Sequence, residues 1–416
     1  MAQVWFDWVI GSLQRKLPMS RFIAIPVAQG DAFYLERDDW SVLVDGGRNR
    51  FGFASLFQNV IRKDGVAVVI CTHNDADHAK GILGFLEAGF RCEEVWLPGR
   101  WLAVLPDVLE PFVKVFAEIA DNVGHTPVPS NAQDRQSGLT PLEAYADGLR
   151  EPFDETPTSN DGPSIGADGW PESYIEMLEQ AEPWEIAPWV RLWPPEDWRF
   201  FLYRHYRRLD PAGLQLLWSA IDAASRIRAI AVETFHRGIP VRWFEFDAAT
   251  PSGGVTELIP VNAREIARVR PRVGLLLRFL ALTVSNKQSL VFWSPPTIQH
   301  PGVLFTADSD LSGVRLSNQL SGATATAPHH GSEANANAYT VVAMAAQQKS
   351  SSITWVRSDG RYRGRPGSAY RGLSLRRMCT RCRLDGGVFS QQQAVLLFSR
   401  RGIWTRHHDT VTCQCK

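Results

Sequence analysis

Residues 66–78 constrain the fold most, because a buried strand ends there in a cluster of polar side chains. Residues 66–71 are continuously apolar, which is typical of a strand covered on both faces of a parallel sheet. Helical spacing follows over residues 79–88. A strand that leads through a tight loop into a helix is the start of a βαβ unit, so this segment predicts an α/β fold.

The same alternation continues on both sides of this segment. The apolar patterns predict strands at residues 21–33, 40–44, 94–97, 241–246, 289–293, 303–306, 352–356 and 394–398, and a helix at residues 54–63. Residues 121–185 are rich in Pro, Gly, Ser, Asn and acidic side chains, which predicts a long irregular loop. We therefore interpret residues 1–120 and 241–416 as two halves of one fold, separated by an insertion at residues 121–240.

Residues 189–235 of this insertion have helical spacing and are rich in Trp, Arg and Leu. Within them, residues 198–208 interleave basic side chains with aromatic rings, which suits single-stranded nucleic acid. The same pattern is commoner in a helix with an aromatic core face and a solvated basic face. A docking surface for a partner protein is a third interpretation.

Composition constrains the environment of the protein more than its function. The 44 basic and 44 acidic side chains cancel, so attraction to a polyanion has to come from local clusters or bound metal. We recognise no signal peptide and no apolar stretch of the roughly 20 residues that a membrane span needs. The six cysteines are too few for a secreted disulfide framework. We therefore expect a soluble, cytoplasmic protein that does not contact a membrane.

The loop after the buried strand carries His73, Asp75, Asp77 and His78. A strand end that leads into a tight loop can turn alternate side chains toward one point, so two imidazoles and two carboxylates can converge on a metal ion. The alternative is a polar turn in which Asp75 or Asp77 only caps the following helix. One aspartate fits that alternative, whereas the whole cluster fits it poorly.

These residues resemble the motif of the metallo-β-lactamase superfamily, and most closely that of its ComEC-type hydrolase domains, in which H-x-D-x-D-H is usual. Four more segments are similar to family motifs and occur in the expected order: residues 27–31 (VAQGD), 43–47 (LVDGG), 304–308 (LFTAD) and 327–332 (APHHGS). The resemblance covers roughly residues 20–110 and 290–400. It implies a four-layer αββα sandwich with a long, partly helical insertion.

The resemblance also implies a role for each matching residue. His73 and Asp75 correspond to ligands of one metal ion, Asp77 and His78 to ligands of a second, and Asp308 to a bridge between them. Asp45 corresponds to a carboxylate outside the ligand set that orients the loop. His329 or His330 corresponds to a further ligand or to a proton donor, and Ser332 of the same motif to a substrate contact.

One departure from the family pattern concerns residues 357–366. Arg365 stands where ComEC-type proteins have a histidine that corresponds to the last ligand of the superfamily. An arginine is not expected to bind a metal but can hold a phosphate with two hydrogen bonds, so Arg361, Arg363 and Arg365 are candidate substrate contacts. A solvated basic loop is the alternative. No histidine for the family's third motif can be placed, since His125, His205, His236 and His300 each suit a structural or exposed position.

These features predict a metal-dependent hydrolase that uses two divalent cations to activate water, most simply a nuclease or phosphodiesterase. Oxygen-rich ligands favour Mn²⁺ or Mg²⁺, with Zn²⁺ also compatible. Both a stand-alone nuclease and an effector of antiviral defence are consistent with this class. The alternatives are a hydrolase of a small ester, lactone or cyclic nucleotide, and a non-catalytic partner in a multi-protein system.

The C-terminal region contains a second candidate metal site. Cys379 and Cys382 form a C-x-x-C pair, and Cys413 and Cys415 form a C-x-C pair about thirty residues later. The spacing fits a tetrathiolate zinc site that fixes the C-terminal segment, and it also fits four unlinked thiols. Cys71 lies beside the metal loop but ends an apolar run, so we assign it to the core.

Overall fold

The computed structural model shows a mixed α/β protein built on two mixed β-sheets. It describes residues 20–111, 114–115, 119, 162–182, 211–269, 288–317, 320–346, 353–359, 365–373, 376–382, 392–400 and 402–415. The α/β class predicted from the strand and helix alternation is confirmed.

The first sheet has nine strands in the order β15-β14-β1-β2-β3-β4-β5-β6-β8. Their bounds are β1 Ser20–Ala24, β2 Phe33–Arg37, β3 Trp40–Val44, β4 Gly65–Ile70, β5 Arg91–Pro98, β6 Val241–Phe246, β8 Ala263–Glu265, β14 Val395–Arg400 and β15 Ile403–Arg406. Strands β3 to β6 run parallel to one another. Strand β1 pairs with β14, so Arg21 lies opposite Phe398.

The second sheet has six strands in the order β13-β12-β11-β10-β9-β7. Their bounds are β7 Ile259–Pro260, β9 Phe292–Ser294, β10 Val303–Phe305, β11 Thr324–Thr326, β12 Thr354–Arg357 and β13 Arg377–Cys379. Strands β10 to β13 are parallel, so their carboxyl ends lie at one edge of the sheet.

Seven α-helices accompany the sheets in the part of the chain that the structure describes. They are α1 Arg50–Ile61, α2 Ala76–Glu87, α3 Leu105–Leu109, α4 Glu172–Gln180, α5 Pro211–His236, α6 Asn337–Ala345 and α7 Ser368–Gly372. Short 3₁₀ turns occur at Gly99–Trp101, Pro328–Gly331 and Glu333–Asn335. Among the described residues, no helix is long and apolar enough to cross a membrane.

Three apolar clusters lie against the two sheets. Alternate side chains of β1 enter different clusters, because successive residues of a strand point to opposite faces. Ile23 packs with residues of α1, α2 and α5, whereas Phe22 and Ala24 pack with Phe305 and other residues of the second sheet. A third cluster joins the second sheet to α6 and to the C-terminal cysteines.

Most of the predicted strands are present, and two have the predicted bounds, Trp40–Val44 and Val241–Phe246. The single strand predicted at residues 21–33 was wrong, because the chain leaves β1 after Ala24 and starts β2 at Phe33. The irregular loop predicted at residues 121–185 was also wrong in part. Glu172–Gln180 is a helix that buries Tyr174 and Leu178, four residues apart, within a segment whose composition is otherwise polar.

Helix α5 lies at the end of the predicted insertion and belongs to the first core cluster, to which Leu217, Ala220, Ala224 and Ile227 contribute. It connects the first half of the chain to β6, which pairs in parallel with β5. Residues 198–208, with their interleaved basic and aromatic side chains, lie outside the described residues. The three interpretations of that segment stay predictions.

Candidate metal centre

The predicted site residues converge where loops from both sheets meet. Asp45 follows β3, and the loop from His73 to His78 follows β4 in the first sheet. Asp308 follows β10, and His330 follows β11 in the second sheet. Each loop leaves the carboxyl end of a parallel strand, which is where α/β sheets carry their ligand sites.

One group of ligand atoms is formed by His73, Asp75 and Asp308, all within 4.8 Å of one another. His73 Nε2 lies 3.8 Å from Asp75 Oδ2 and 3.6 Å from Asp308 Oδ2. The other ring nitrogen, Nδ1, lies 3.0 Å from the Thr72 hydroxyl, which fixes the ring orientation. Nε2 is therefore the atom that faces the carboxylates.

A second group is formed by Asp31, His78, Asp308 and His330, all buried and also within 4.8 Å of one another. His78 Nε2 lies 3.1 Å from Asp308 Oδ1. Asp308 thus presents Oδ2 to the first group and Oδ1 to the second. A carboxylate shared in this way has the geometry to bridge two cations.

Asp45 contacts the second group through Nδ1 of His78, the ring nitrogen that does not face Asp308. Its Oδ2 lies 2.8 Å from His78 Nδ1 and accepts a hydrogen bond from the Thr72 hydroxyl at 2.7 Å. Its Oδ1 accepts the Thr72 backbone N–H at 2.9 Å. A carboxylate on one imidazole nitrogen fixes the tautomer and leaves the other nitrogen for a metal. The orienting role of Asp45 stays a prediction.

His330 and Asp31 form a second carboxylate–imidazole ion pair, which lacks the geometry of a hydrogen bond. His330 Nδ1 lies 3.0 Å from Asp31 Oδ1, while its Nε2 lies 3.4 Å from Asp77 Oδ2 and 3.9 Å from Asp308 Oδ1. Asp31 is therefore a part of the centre to which the sequence analysis gave no role. The signal was present in the VAQGD segment, but the partner of that aspartate lies almost 300 positions away in the chain.

Several buried polar atoms of the centre have no hydrogen-bond partner. They are both carboxylate oxygens of Asp31, His73 Nε2, His78 Nε2, Asp308 Oδ1 and both ring nitrogens of His330. A buried polar atom without a partner costs on the order of 1–3 kcal/mol. These unpartnered atoms are imidazole nitrogens and carboxylate oxygens that face one another. They are the ligand atoms that divalent metal ions take, so the arrangement fits a cation.

The pKa values show how strongly the histidines of the centre differ. Burial, together with the neighbouring His78, lowers the pKa of His73 to about 3, so the His73 imidazole is neutral at physiological pH. Burial also opposes the charge on His330, but Asp31 and Asp308 outweigh burial and raise its pKa to about 10. Without a cation, His330 is protonated and supplies the positive charge that the carboxylates need.

The carboxylates differ in the same way. Burial raises the pKa of Asp75 to about 7, and the charges of Asp77 and Asp308 act in the same direction. For Asp308, burial favours the neutral form, but His329, His78 and His330 outweigh it and hold the pKa well below its ordinary value. Asp75, Asp77 and Asp308 therefore place negative charge in one small volume, and a bound cation would relieve the repulsion between these carboxylates.

The centre opens to solvent on the side of Asp75 and Asp77. Their side chains are 28% and 18% exposed, whereas those of His78 and Asp308 are 0% and 2% exposed. The sequence predicts that Asp77 binds a metal ion together with His78. The structure places Asp77 beside His330 and outside both groups of ligand atoms.

The paired histidines differ in their environment. Arg365 Nη2 lies 2.6 Å from His329 Nε2, and an arginine can only donate, so this nitrogen must accept and the proton must sit on Nδ1. Nδ1 then donates to Asn335 Oδ1 at 3.0 Å. The lone pair of His329 is thus engaged by Arg365, and His330 is the member of the pair that lies among the ligand atoms.

His329 nevertheless stays close to the centre, with Nε2 3.4 Å from Asp308 Oδ2. The two histidines adopt left-handed backbone conformations, with φ of 45° and 56°. Such conformations are rare for residues other than Gly, Asn and Asp and are typical of functional sites. They direct one imidazole into the centre and the other toward Arg365.

Close backbone packing holds the loops together. Gly30 has φ of 96°, and a Cβ there would lie 1.7 Å from the carbonyl oxygen of Asp77. Gly30 N–H donates to Asp359 Oδ1 at 3.2 Å, which joins this loop to the end of β12. Helix α5 supports the opposite side, since buried Arg226 donates from Nε to the carbonyl oxygen of Asn74 at 2.8 Å.

The remaining predicted residues lie in different places. Ser332 accepts the backbone N–H of Ala334 and caps a short turn. Arg361 and Arg363 lie outside the described residues. His300 bonds to Ser20 and Asp38, and His236 to the carbonyl oxygen of Leu178, so both are structural, as expected.

Comparison of the chain with protein-family models and with curated proteins gives no match. The similarity to the metallo-β-lactamase superfamily therefore rests on the five short motifs.

Proposed function

We propose that this protein is a metal-dependent hydrolase with the four-layer metallo-β-lactamase fold, and that it cleaves phosphodiester bonds in nucleic acid. The observation that carries the proposal is the division of Asp308 between two groups of ligand atoms, one with His73 and Asp75 and one with His78 and His330. The layering is supported by apolar clusters that lie outside the first sheet, between the two sheets and outside the second.

His73, Asp75 and Asp308 would hold one divalent cation, and His78, Asp308 and His330, with Asp31, the other. When bound, such a pair supplies activation of a water molecule and neutralisation of the charge on a phosphoryl group. The donor set has as many carboxylates as imidazoles, which favours Mn²⁺ or Mg²⁺ and also admits Zn²⁺.

The chain's own residues would orient the reactants. Asp45 fixes His78, Thr72 fixes Asp45 and His73, and Asp31 lies in ion-pair contact with His330. Asp77 lies at the open side and, as an acceptor near His330 Nε2, can hold the proton of an attacking water. Arg365 lies at the other side of Asp308, next to His329, where a guanidinium can bind a phosphate oxygen.

The substrate class follows from this arrangement of charges. An arginine beside two cation sites provides positive charge for an anionic group, which suits a phosphodiester better than a neutral ester or lactone. Arg361 and Arg363, which precede Arg365 in the sequence, are further candidate contacts to a nucleic acid backbone. A cyclic nucleotide carries the same group in a smaller molecule and is the alternative substrate to test.

The test is hydrolysis of single-stranded DNA, plasmid DNA, RNA and cyclic nucleotides with Mn²⁺, Mg²⁺ or Zn²⁺. We expect cleavage of at least one nucleic acid by the wild-type protein and a loss of about 100- to 1,000-fold in Asp308→Asn, the order of magnitude that follows the loss of one group stabilising the charge of a transition state. Asp310→Asn is the matched control, because Asp310 lies two residues away and accepts the backbone N–H of Ser312. A wild-type protein that binds metal but cleaves none of these substrates would refute the proposal.

A further inference from the structure

The four cysteines of the C-terminal region form a second cluster, remote in sequence from the candidate metal centre. Cys379 ends β13, Cys382 lies in the turn that follows, and Cys413 and Cys415 lie in the segment after β15. Their four sulfur atoms all lie within 4.8 Å of one another. Residues that are about thirty positions apart in sequence are thus brought to one point by the fold.

The distances between the sulfur atoms fit a tetrahedral metal site. Cys379 Sγ lies 3.3 Å from Cys382 Sγ and 3.7 Å from Cys415 Sγ, and Cys382 Sγ lies 3.9 Å from Cys415 Sγ. In a tetrahedron with Zn–S bonds of about 2.3 Å, the sulfur atoms are about 3.8 Å apart. A disulfide requires about 2.05 Å, so none of these pairs is bonded.

The surroundings of the cluster also suit thiolate ligands. Cys379, Cys382 and Cys413 are buried, and Cys415 is half-buried. The backbone N–H of Gln414 donates to Cys382 Sγ at 3.1 Å, a contact that stabilises negative charge on sulfur. Four converging sulfur atoms without a cation would gain little from this arrangement, since thiols are weak hydrogen-bond donors.

We propose that Cys379, Cys382, Cys413 and Cys415 bind one structural zinc ion as a closed tetrathiolate site. Binding releases the thiol protons to solvent and involves no oxidation or reduction. All four ligand positions are filled by sulfur, so the site leaves no open position for substrate or water and is not a catalytic centre.

The position of the cluster indicates what the zinc ion stabilises. Strand β13 is the edge of the second sheet, and β15, just before Cys413, is the edge of the first. The site therefore joins the edges of the two sheets. The turn it fixes also donates from Thr380 to the carbonyl oxygens of Arg357 and Asp359, and Arg357 donates to the carbonyl oxygen of His330 at 2.6 Å.

The test is zinc content by mass spectrometry of the full chain, compared among the wild type, the double variant Cys413→Ser/Cys415→Ser, and Cys92→Ser. Cys92 is a half-buried free cysteine on β5 and serves as the matched control. We expect the double variant to lose one zinc per chain and Cys92→Ser to lose none. Equal zinc content in all three proteins, or iron in place of zinc, would overturn the proposal.

A measurement on the wild type keeps the test valid if the double variant does not fold. Titration with p-hydroxymercuribenzoate should release one zinc ion as four thiols react. The released zinc is measured with a colorimetric zinc indicator. Four thiols that react without zinc release would contradict the site. Making the same measurements in an Asp308→Asn background separates this zinc from the cations of the proposed hydrolase centre, so either proposal can fail alone.

Discussion

Substitution of Asp45 by Asn tests whether the carboxylate behind His78 supports metal binding. Asn accepts the left-handed backbone that Asp45 has, with φ of 58°, so the change adds little backbone strain. It replaces one carboxylate oxygen by an amide that can only donate. Because Oδ1 and Oδ2 both accept hydrogen bonds, either orientation of the amide places two donors face to face.

The expected cost follows from these contacts. Loss of a carboxylate that orients a metal-binding histidine lowers metal affinity by about 10- to 100-fold. At about 1.4 kcal/mol for each factor of ten, this corresponds to about 1.4–2.8 kcal/mol. The range agrees with the roughly 1–3 kcal/mol for one buried donor left without an acceptor. We therefore expect a 10- to 100-fold weaker affinity for Mn²⁺.

The assay is titration of the metal-free protein with Mn²⁺, in which the free ion is followed by electron paramagnetic resonance. Asp38→Asn is the matched control. Asp38 also has a left-handed backbone and lies 2.9 Å from a histidine nitrogen, that of His300, but it is half exposed and outside the centre. Asp45→Asn that folds and binds Mn²⁺ as tightly as Asp38→Asn would show that the carboxylate does not orient a ligand.

Two further outcomes follow from the geometry of the centre. Binding of Mn²⁺ at pH 7 should release protons, because the pKa of His330 is raised to about 10 and that of Asp75 to about 7. Both groups must lose their protons to bind a cation, so the affinity for Mn²⁺ should rise between pH 6 and pH 8. Calorimetry in buffers of different ionisation enthalpy measures this release, and a heat that is independent of the buffer would contradict it. Gly30→Ala should destabilise the fold by more than about 2 kcal/mol, because the new methyl group would clash with the Asp77 carbonyl oxygen in a strained backbone. Gly89→Ala is also at positive φ but in open space, so it should cost only about 1 kcal/mol. Urea denaturation compares the two variants, and equal midpoints would refute the argument from close packing.

Strands that are rich in β-branched and aromatic residues and bounded by turn residues could be predicted from the sequence. Residues 40–44 and 241–246 are such runs, and the structure has both with the same bounds. Strand Thr324–Thr326 could not be predicted in this way, because it has only three residues and two of them are threonines. Its importance is large, since the loop after it carries His330.

The local part of the candidate site could also be predicted. His73, Asp75 and His78 lie within six residues, so their proximity needs only a tight loop. The environment of Asp77 could not be predicted, because it depends on His330 from the other sheet. The distinction between His329 and His330 likewise depends on Arg365 and Asn335, whose positions are set by tertiary packing.

The pairing of β1 with β14 has a consequence for how the protein is made. These adjacent strands are separated by most of the chain, and closing so long a loop is slow relative to local contacts. A nascent chain on the ribosome must therefore hold β1 with one edge unpaired until β14 has been translated. Unpaired edges attract other strands, so we expect newly synthesised chains to depend on chaperones and truncated ones to aggregate.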